Sequence, residues 1–267
     1  MSRSSRSKVL RVSPRAEKYT DLDEIYSQCS GPGALRTAEF VADKIGLCPG
    51  MRVLDVGIYR GVQTCFLAKE YECFMVAVDP WADDFDPAGD GKPYVDHLRR
   101  NAERWGVADR VLGVRLGLPK IKFADMSFDA AYSSTAFEMI RGLHGDEEYL
   151  ASLKEVLRVL RPRGVLGLAE PMHRGGPPPA DLDPLVSEGP IPFKSFLATP
   201  DHTAEQFREA GFEVIERGHA PDARAWWEEF AAHDDECKRN PDGNPRMLRV
   251  DAGRWISFGY VIGRRPK

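Results

Sequence analysis

The sequence predicts an α/β fold, with a seven-stranded, mostly parallel sheet and helices on both faces. Short apolar runs alternate with segments whose apolar residues recur at helical spacing. Strands that are apolar throughout are typical of a parallel sheet buried on both faces, with helices as crossovers. The chain has 267 residues, 42% of them hydrophobic and 29% charged, which suits one large globular domain.

The predicted elements follow one another in a regular order. Apolar residues at spacings of three and four predict helices over 34–46, 61–70, 93–105, 146–160 and 204–210. Thr203 is the predicted N-cap of the last helix. Short apolar runs predict strands over 51–57, 74–79, 110–116, 128–134, 164–170, 212–217 and 255–263.

Three segments interrupt this order. Residues 1–18 are rich in Arg and Lys, which predicts a flexible basic tail or, alternatively, an arm that touches an anionic partner. Residues 171–200 contain too much proline and glycine for one regular element, and we interpret them as a lid. Residues 222–250 form a helical insert before the last strand. Residues 19–267, with lid and insert, are expected to form one domain.

Charge and cysteine content exclude several classes of protein. With 37 Lys and Arg against 41 Asp and Glu, the chain lacks the basic footprint of a nucleic-acid binder. No apolar run approaches the roughly 18 residues that span a bilayer, and none near the N-terminus resembles a signal peptide. The five cysteines show no metal-ligand spacing and are expected to be reduced thiols. We expect a cytoplasmic protein without a metal, a nucleic-acid partner or a membrane partner.

The most informative stretch is VLDVGIYRG, residues 53–61. A buried strand ends in Asp55, and Gly57 and Gly61 frame a tight turn into a helix, where a ligand can approach the backbone. The next strand ends in Asp79, an acid at a spacing that suits paired ribose hydroxyls. This pattern predicts an adenosine-type cofactor at the carboxyl ends of the first two strands. A nicotinamide cofactor is disfavoured, because its fingerprint is G-x-G-x-x-G.

The chain resembles class I S-adenosylmethionine-dependent methyltransferases, the broad family that includes the ubiquinone/menaquinone methyltransferases. The stretches that carry the resemblance are, in order, VLDVGIYRGVQTCFLA, VAVDP, FADMSFDAAYSS, EVLRVLRPRGVLGLAEP and TAEQFREAGFEVIE. SGPG, residues 30–33, also resembles a subgroup of small-molecule methyltransferases. The whole resemblance covers roughly residues 25–217 plus the last strand. The resemblance implies a Rossmann-like fold with an antiparallel last strand, S-adenosyl-L-methionine as cofactor and a small-molecule methyl acceptor.

The resemblance also implies which residues bind the cofactor. They are Asp55, Gly57, Ile58, Tyr59, Gly61, Asp79, Pro80, Trp81, Leu118, Ser133 and Ser134. The turn would hold the methionine end, Asp79 the ribose, and the two serines would lie beneath the sulfonium. Tyr59 replaces the family's central glycine, so its ring either points away from the cofactor or contacts it. Leu118 lies where the family often has an acid that binds adenine.

Methyl transfer needs few side chains, because the sulfonium is already activated and positioning supplies most of the rate. A base is needed only if the nucleophile arrives protonated. His173, His144 and Glu138 are the candidate catalytic residues, because they follow the fourth and fifth strands. His173 suits a base near neutral pH. Each has an alternative interpretation. His173 lies in a loop that faces solvent, His144 caps a helix or packs in a loop, and Glu138 simply begins a helix.

Three aromatic residues are candidates for substrate binding. Tyr19 and Tyr26 precede the first helix, where the family's N-terminal lid closes, and lid packing is their alternative role. Trp226 shares a helical face with Phe230, four residues on. The pair either packs the insert onto the sheet, lines an aromatic substrate pocket or forms a dimer contact.

The predicted function is transfer of a methyl group from S-adenosyl-L-methionine to an O, N, S or C atom of a small molecule. Tyr59 and the missing adenine-binding acid motivate an alternative, a non-catalytic S-adenosylmethionine-binding subunit or sensor with the same fold. Methylation of RNA or protein would have to use the basic tail. The sequence leaves the oligomeric state open, and a homodimer is one of the alternatives.

Overall fold

The computed structural model describes residues 15–84, 89–189 and 191–267. The central element is a seven-stranded sheet in the order β3-β2-β1-β4-β5-β7-β6. Its strands are β1 (Arg52–Val56), β2 (Phe74–Val78), β3 (Val111–Val114), β4 (Phe128–Ser134), β5 (Leu160–His173), β6 (Glu213–His219) and β7 (Ile256–Arg264).

The sheet is parallel except at β7. β1 pairs in parallel with β2 and β4, while β3 and β5 extend the parallel part on either side. β7 lies between β5 and β6 and runs antiparallel to both. The predicted fold class is therefore confirmed, including the antiparallel last strand. The strand order reverses between β1 and β4, the kind of switch point where open α/β sheets bind ligands at their carboxyl ends.

Helices cover both faces of the sheet. They are α1 (Leu22–Tyr26), α2 (Ala34–Ile45), α3 (Val62–Glu70), α4 (Tyr94–Trp105), α5 (Phe137–Val159), α6 (Asp183–Val186), α7 (Phe193–Phe196), α8 (Pro200–Ala210), α9 (Ala223–His233), α10 (Asp235–Arg239) and α11 (Asn244–Asp251). The apolar sides of α2, α3 and α4 form one core with the sheet, and those of α5 and α8 form the other. Within the described ranges, no helix is long and apolar enough to cross a membrane.

The helix predicted over 146–160 begins where it was predicted, because Gly145, with φ 82° and ψ −179°, separates it from a preceding helix within α5. That preceding helix, which begins at Phe137, was not predicted. One predicted cap was wrong. Thr203 is not the N-cap of α8, because Thr199 is: its Oγ1 accepts the N–H of His202 at 3.1 Å.

Replacing Thr199 with alanine is expected to lower the free energy of unfolding by about 1 kcal/mol, because α8 loses its cap. Chemical denaturation measures the change. Thr203→Val is the comparison, because the Oγ1 of Thr203 is buried without a partner among the described residues. Its removal should not lower stability. The assignment of the cap fails if Thr203→Val is the more damaging of the two.

The segments predicted as lid and insert consist largely of short helices and loops. Residues 171–200 begin inside β5 and continue through α6 and α7, and residues 222–250 contain α9, α10 and most of α11. Residues 1–14 of the predicted tail lie outside the described part of the chain. Residues 15–18 are held, because the backbone N–H groups of Arg15 and Ala16 donate to the Glu39 carboxylate at 3.0 and 2.9 Å.

Candidate functional site

The turn after β1 is held by the acid that follows β2. Asp79 is buried, and its Oδ2 accepts the N–H groups of Ile58 at 2.9 Å and Tyr59 at 3.3 Å, while Oδ1 accepts that of Trp81 at 2.9 Å. Burial raises the pKa of Asp79, and these N–H groups lower it. A carboxylate offers about four acceptor positions, so about one remains for a ligand. The predicted ribose-binding acid is thus also the anchor of the turn.

The turn requires glycine at both ends. Gly57 and Gly61 have φ values of 75° and 83°, which glycine adopts readily and other residues do not. A Cβ at Gly57 would lie 2.1 Å from the Cβ of Ala136, and one at Gly61 would lie 2.4 Å from Leu98. The first glycine therefore lets β1 approach the turn that follows β4.

Tyr59 also has a left-handed backbone, with φ 49°. This conformation is the physical reason why a glycine would suit the position. The ring of Tyr59 lies 5.0 Å from that of Tyr94, at the start of α4. Arg60 pairs with Asp83 at 2.8 Å and donates to the carbonyl of Ser27 at 2.7 Å. The turn is therefore tied both to α4 and to the segment that precedes α2.

Asp55 lies in β1, and its buried carboxylate has a hydrogen-bond partner at only one of its two oxygens among the described residues. Its Oδ2 accepts the hydroxyl of Thr64 at 2.7 Å, whereas Oδ1 is buried without a partner among the described residues. Burial raises the pKa of Asp55 to about 7; the Thr64 hydroxyl lowers it and the charge of Asp79 raises it further. An unpaired buried carboxylate oxygen is suited to a cationic group of a ligand.

Asp55→Asn is expected to become more stable relative to the wild-type protein as pH rises. In the unfolded chain this carboxyl ionises at about pH 4, whereas the folded protein holds the proton up to about pH 7. Between these values the wild-type protein therefore loses stability with rising pH, and asparagine removes that loss. The difference in unfolding free energy should widen by about 2 kcal/mol from pH 5 to pH 7. A pH-independent difference would contradict the assigned pKa.

The two serines at the end of β4 are buried. Ser133 donates to the carbonyl of Val56 at 2.9 Å and so links β4 to β1, while Ser134 lies beside Tyr132. Directly beyond them, the hydroxyls of Thr135 and Ser30 are hydrogen-bonded. A Cβ at Gly31 would lie 2.2 Å from Thr135. The segment before α2 therefore covers the carboxyl end of β4.

The resemblance implies that Pro80 and Trp81, which follow β2, flank adenine together with Leu118, which follows β3. A Cβ at Gly117 would lie 3.2 Å from the ring of Pro80, so the loops after β2 and β3 are in contact. Trp81 and Leu118 are half-buried next to this contact in sequence, and Pro80 is exposed. None of these residues supplies an acid.

Glu138, a predicted catalytic residue, belongs to a buried charged cluster. Glu170, at the end of β5, accepts hydrogen bonds from Arg141 at 3.3 Å and Tyr149 at 3.2 Å. Arg141 also binds Gln206 at 2.8 Å. Burial raises the pKa of both carboxyls; the charge of Glu170 raises that of Glu138 further, and Arg141 lowers that of Glu170. The pKa of Glu138 therefore lies above that of an exposed glutamate, because the side chain is buried beside another acid.

Sequence reasoning gave Glu170, Arg141 and Tyr149 no role. A signal for Glu170 was available, because it is an acid that ends an apolar strand, as Asp55 and Asp79 are. No signal marked the other two as buried partners.

The two histidines have different environments. His173 is half-buried and stacks on Trp255 at 4.7 Å between ring centroids. Burial lowers the pKa of His173, and its Nδ1 accepts the N–H of Gly175 at 3.0 Å. In the neutral ring Nε2 then carries the proton, so this nitrogen donates and is unsuited to act as a base. His144 is exposed on α5, close to the kink at Gly145.

The structure does not bring Tyr19 to this site. Its hydroxyl binds Glu70 at 2.8 Å, and its ring stacks on Trp105 at 4.8 Å. Glu70 and Trp105 are the last residues of α3 and α4. Both helices start at the carboxyl edge of the sheet and run back along it, so Tyr19 lies at the opposite, amino edge. The contacts of Tyr19 correspond to its alternative role in packing.

Tyr26 and Trp226 connect the insert to the rest of the domain. Tyr26 donates to Glu229 on α9 at 2.9 Å. Trp226 is buried between the rings of Phe40 and Phe258, at 5.7 and 6.0 Å. These contacts correspond to the packing interpretation. Trp226 also meets Gly33, in the segment that covers β4, since a Cβ there would lie 2.7 Å from its ring.

One cluster among the described residues has the spacing of metal ligands. One candidate ligand atom each from Asp83, Asp90 and His97 lies within 4.8 Å of the other two. Each side chain already has a cationic partner: Arg60 for Asp83, Lys92 for Asp90 and Arg100 for His97. We therefore assign no metal here, and the absence of a metal stays a prediction.

Comparison with known proteins agrees with this geometry. Residues 54–168 match the family model described as "Methyltransferase domain". The sterol 24-C-methyltransferase erg6 of Aspergillus fumigatus is 27% identical over 206 residues, which are 72% of this chain and 48% of that protein. The chain thus spans about half the length of this relative.

Solved structures share the fold at low sequence identity. Phosphoethanolamine N-methyltransferase 2 of Haemonchus contortus, in complex with S-adenosyl-L-methionine, is 17% identical with a TM-score of 0.71, over 95% of this chain and 59% of that chain. The [4+2]-cyclase SpnF is 19% identical with a TM-score of 0.67, over 90% and 88%. At such identities the likeness concerns the fold alone, and one fold serves several reactions.

Proposed function

The chain contains a methyltransferase domain of the class I S-adenosylmethionine-dependent family, and we propose that it transfers a methyl group from S-adenosyl-L-methionine to a small molecule. The acceptor atom would be an O, N, S or C nucleophile. One observation carries the proposal. At the switch point of the sheet, Asp79 holds a turn between two left-handed glycines, and the buried Oδ1 of Asp55 beside it has no partner among the described residues.

The residues at this point suit the cofactor. Asp55 would hold the ammonium of its methionine end, and the remaining acceptor position of Asp79 would bind a ribose hydroxyl. Pro80, Trp81 and Leu118 would flank adenine. When bound, the cofactor supplies a methyl group already activated on a sulfonium. The protein then has to align the acceptor and exclude water, which provides much of the rate.

We assign no catalytic base to this chain. In His173 the nitrogen not bound to Gly175 carries the proton, Glu138 is buried in the cluster around Glu170, and His144 is exposed. The proposed acceptor therefore presents a lone pair or a carbanion without help from these three residues.

Calorimetric titration with S-adenosylmethionine and S-adenosylhomocysteine tests the site. The wild-type protein is expected to bind both with Kd values of about micromolar order. Asp79→Ala should weaken both by about a hundredfold or more, because it removes a ligand contact and releases the turn. Asp84→Ala is the matched control, since Asp84 is exposed nearby. Equal affinities of the wild-type protein and Asp79→Ala would refute the site.

A non-catalytic binding subunit or sensor is the second candidate, and Tyr59 favours it. A large side chain occupies the position of the family's central glycine, in a strained conformation. Incubation with methyl-tritiated S-adenosylmethionine and phenol, amine, thiol and isoprenoid acceptors distinguishes the two. Transfer of label to any acceptor excludes the non-catalytic alternative.

The remaining assignments are proposals of the same kind. We take residues 19–267 as one domain, with 171–200 as its lid and 222–250 as its cap. The small-molecule acceptor is the proposed partner, and nucleic acid and a membrane are not. The five described cysteines are free thiols, in keeping with action in the cytoplasm. A homodimer stays a prediction.

A further inference from the structure

A groove of about 450 Å³ lies between α9 and α11. This volume falls within the range of about 300–1,000 Å³ that is typical of small-molecule sites. Trp227, Ala231, Leu248 and Ile256 contribute its apolar lining. These residues lie outside the stretch that matches the methyltransferase domain, residues 54–168. Trp227, Ala231 and Leu248 belong to the insert, and Ile256 is the first residue of β7.

The floor of the groove is preformed. Trp227 and Ile256 are 5% and 2% exposed, and both line the groove. The indole N–H of Trp227 donates to the carbonyl of Ser257 at 3.2 Å, and its ring packs edge-on against Phe230 and Phe258. A fixed aromatic surface needs no ordering when a ligand binds, which favours affinity.

The charges at the rim leave one cation uncompensated. Arg224 pairs with Glu228 at 2.8 Å. The Asp251 carboxylate is occupied by three backbone N–H groups in the turn after α11. Arg249 has only the neutral carbonyl of Pro241, at 3.3 Å, and no carboxylate within ion-pair distance in the described part of the chain.

We propose that this groove binds an amphipathic carboxylate. The apolar body would lie on Trp227 and Leu248, and the carboxylate would meet Arg249, whose planar guanidinium binds carboxylates through two hydrogen bonds. The site is separate from the proposed cofactor site, because Trp226, the preceding residue of α9, packs the other way, onto Gly33. The proposal therefore does not depend on methyl transfer.

Titration calorimetry of the full chain with dodecanoate, below its micelle-forming concentration, tests the proposal. One molecule is expected to bind per chain, with a Kd of about micromolar order. Ala231→Phe fills the groove and Arg249→Gln removes its cation, and each should weaken binding by about tenfold. The matched controls carry the same changes on the same helices but outside the groove: Ala225→Phe and Arg246→Gln should change Kd less than about twofold.

Two further measurements test the role of the charge and the independence of the groove. Dodecanol has the same chain without the charge, so it should bind about tenfold more weakly than dodecanoate to the wild-type protein. S-adenosylhomocysteine titration of the four variants should be unchanged, which separates this site from the proposed cofactor site. Equal losses in a variant and its matched control, several dodecanoate molecules per chain, or no binding would overturn the proposal. If Ala231→Phe does not fold, the titrations of Arg249→Gln with dodecanoate and of the wild-type protein with dodecanol still test the proposal.

Discussion

Replacing Arg141 with methionine is expected to lower the free energy of unfolding by about 3–5 kcal/mol at pH 7. Arg141 is buried and binds Glu170, Gln206 and the carbonyl of Phe196 at 2.8–3.3 Å. Its guanidinium also lies 3.8 Å from the centre of the Tyr149 ring. Without it, the buried carboxyls lose the cation that compensates them. Denaturation by urea, followed by circular dichroism, measures the loss.

Arg158→Met is the matched control. Arg158 also has two acidic partners, Glu155 and Asp125, but it is partly exposed. Solvent screens such pairs, and the expected loss is at most about 1 kcal/mol. Equal effects of the two substitutions would show that the buried cluster does not depend on its arginine.

The loss in Arg141→Met should depend on pH. Without the arginine, the pKa values of Glu138 and Glu170 in the folded protein rise further above those of the unfolded chain. A carboxyl whose pKa is higher in the folded protein than in the unfolded chain costs no stability below the unfolded pKa of about 4.3. As pH rises from there towards the folded pKa, the free energy of unfolding falls. The variant should therefore approach the wild-type stability near pH 4 and fall behind towards pH 8. A constant difference would locate the effect in packing alone.

Gly57→Ala is expected to lower the free energy of unfolding by about 2–5 kcal/mol and to abolish S-adenosylhomocysteine binding. Two costs add. A left-handed φ costs alanine about 1–2 kcal/mol. The new methyl group would lie 2.1 Å from that of Ala136, and such overpacking costs about 1–3 kcal/mol. Thermal denaturation and calorimetric titration measure the two effects.

Two comparisons separate these costs. Gly46 has a similar φ of 70° at the end of α2, and a Cβ there meets nothing within 4 Å. Gly46→Ala should therefore show the backbone cost alone. In Gly57→Ala, the further substitution Ala136→Gly removes the clash and should restore about 1–3 kcal/mol. Failure of this double variant to recover would mean that the close approach of β1 to the turn after β4 is wrong.

The turn that binds the proposed cofactor could be predicted from local sequence. Gly57, Gly61 and the acids that end β1 and β2 lie next to buried strands, and parallel strands bring their carboxyl ends to one edge whatever the rest of the chain does. The hydrogen bonds from the turn to Asp79 were not foreseen, because they depend on how the first two strands lie beside each other.

The contacts of the aromatic and charged candidates could not be predicted. Tyr19 lies near the N-terminal cover in sequence, yet α3 and α4 run back to the amino edge and carry its partners there. The cluster around Glu138 is assembled from α5, β5 and α8, whose residues lie up to 68 positions apart in the chain. A spacing pattern describes a single helix or strand, and it does not indicate which distant residues come into contact.

By itself, then, the sequence determined the alternation of strands and helices, the fold class and the position of the glycine turn after β1. Each depends on local patterning, where apolar period and glycine act within a few residues. Only the tertiary structure decided that Glu138 is buried beside Glu170, that Nδ1 of His173 is occupied, and that α9 and α11 enclose a groove. Those features depend on burial and on contacts between distant segments, which arise only once the helices pack on the sheet.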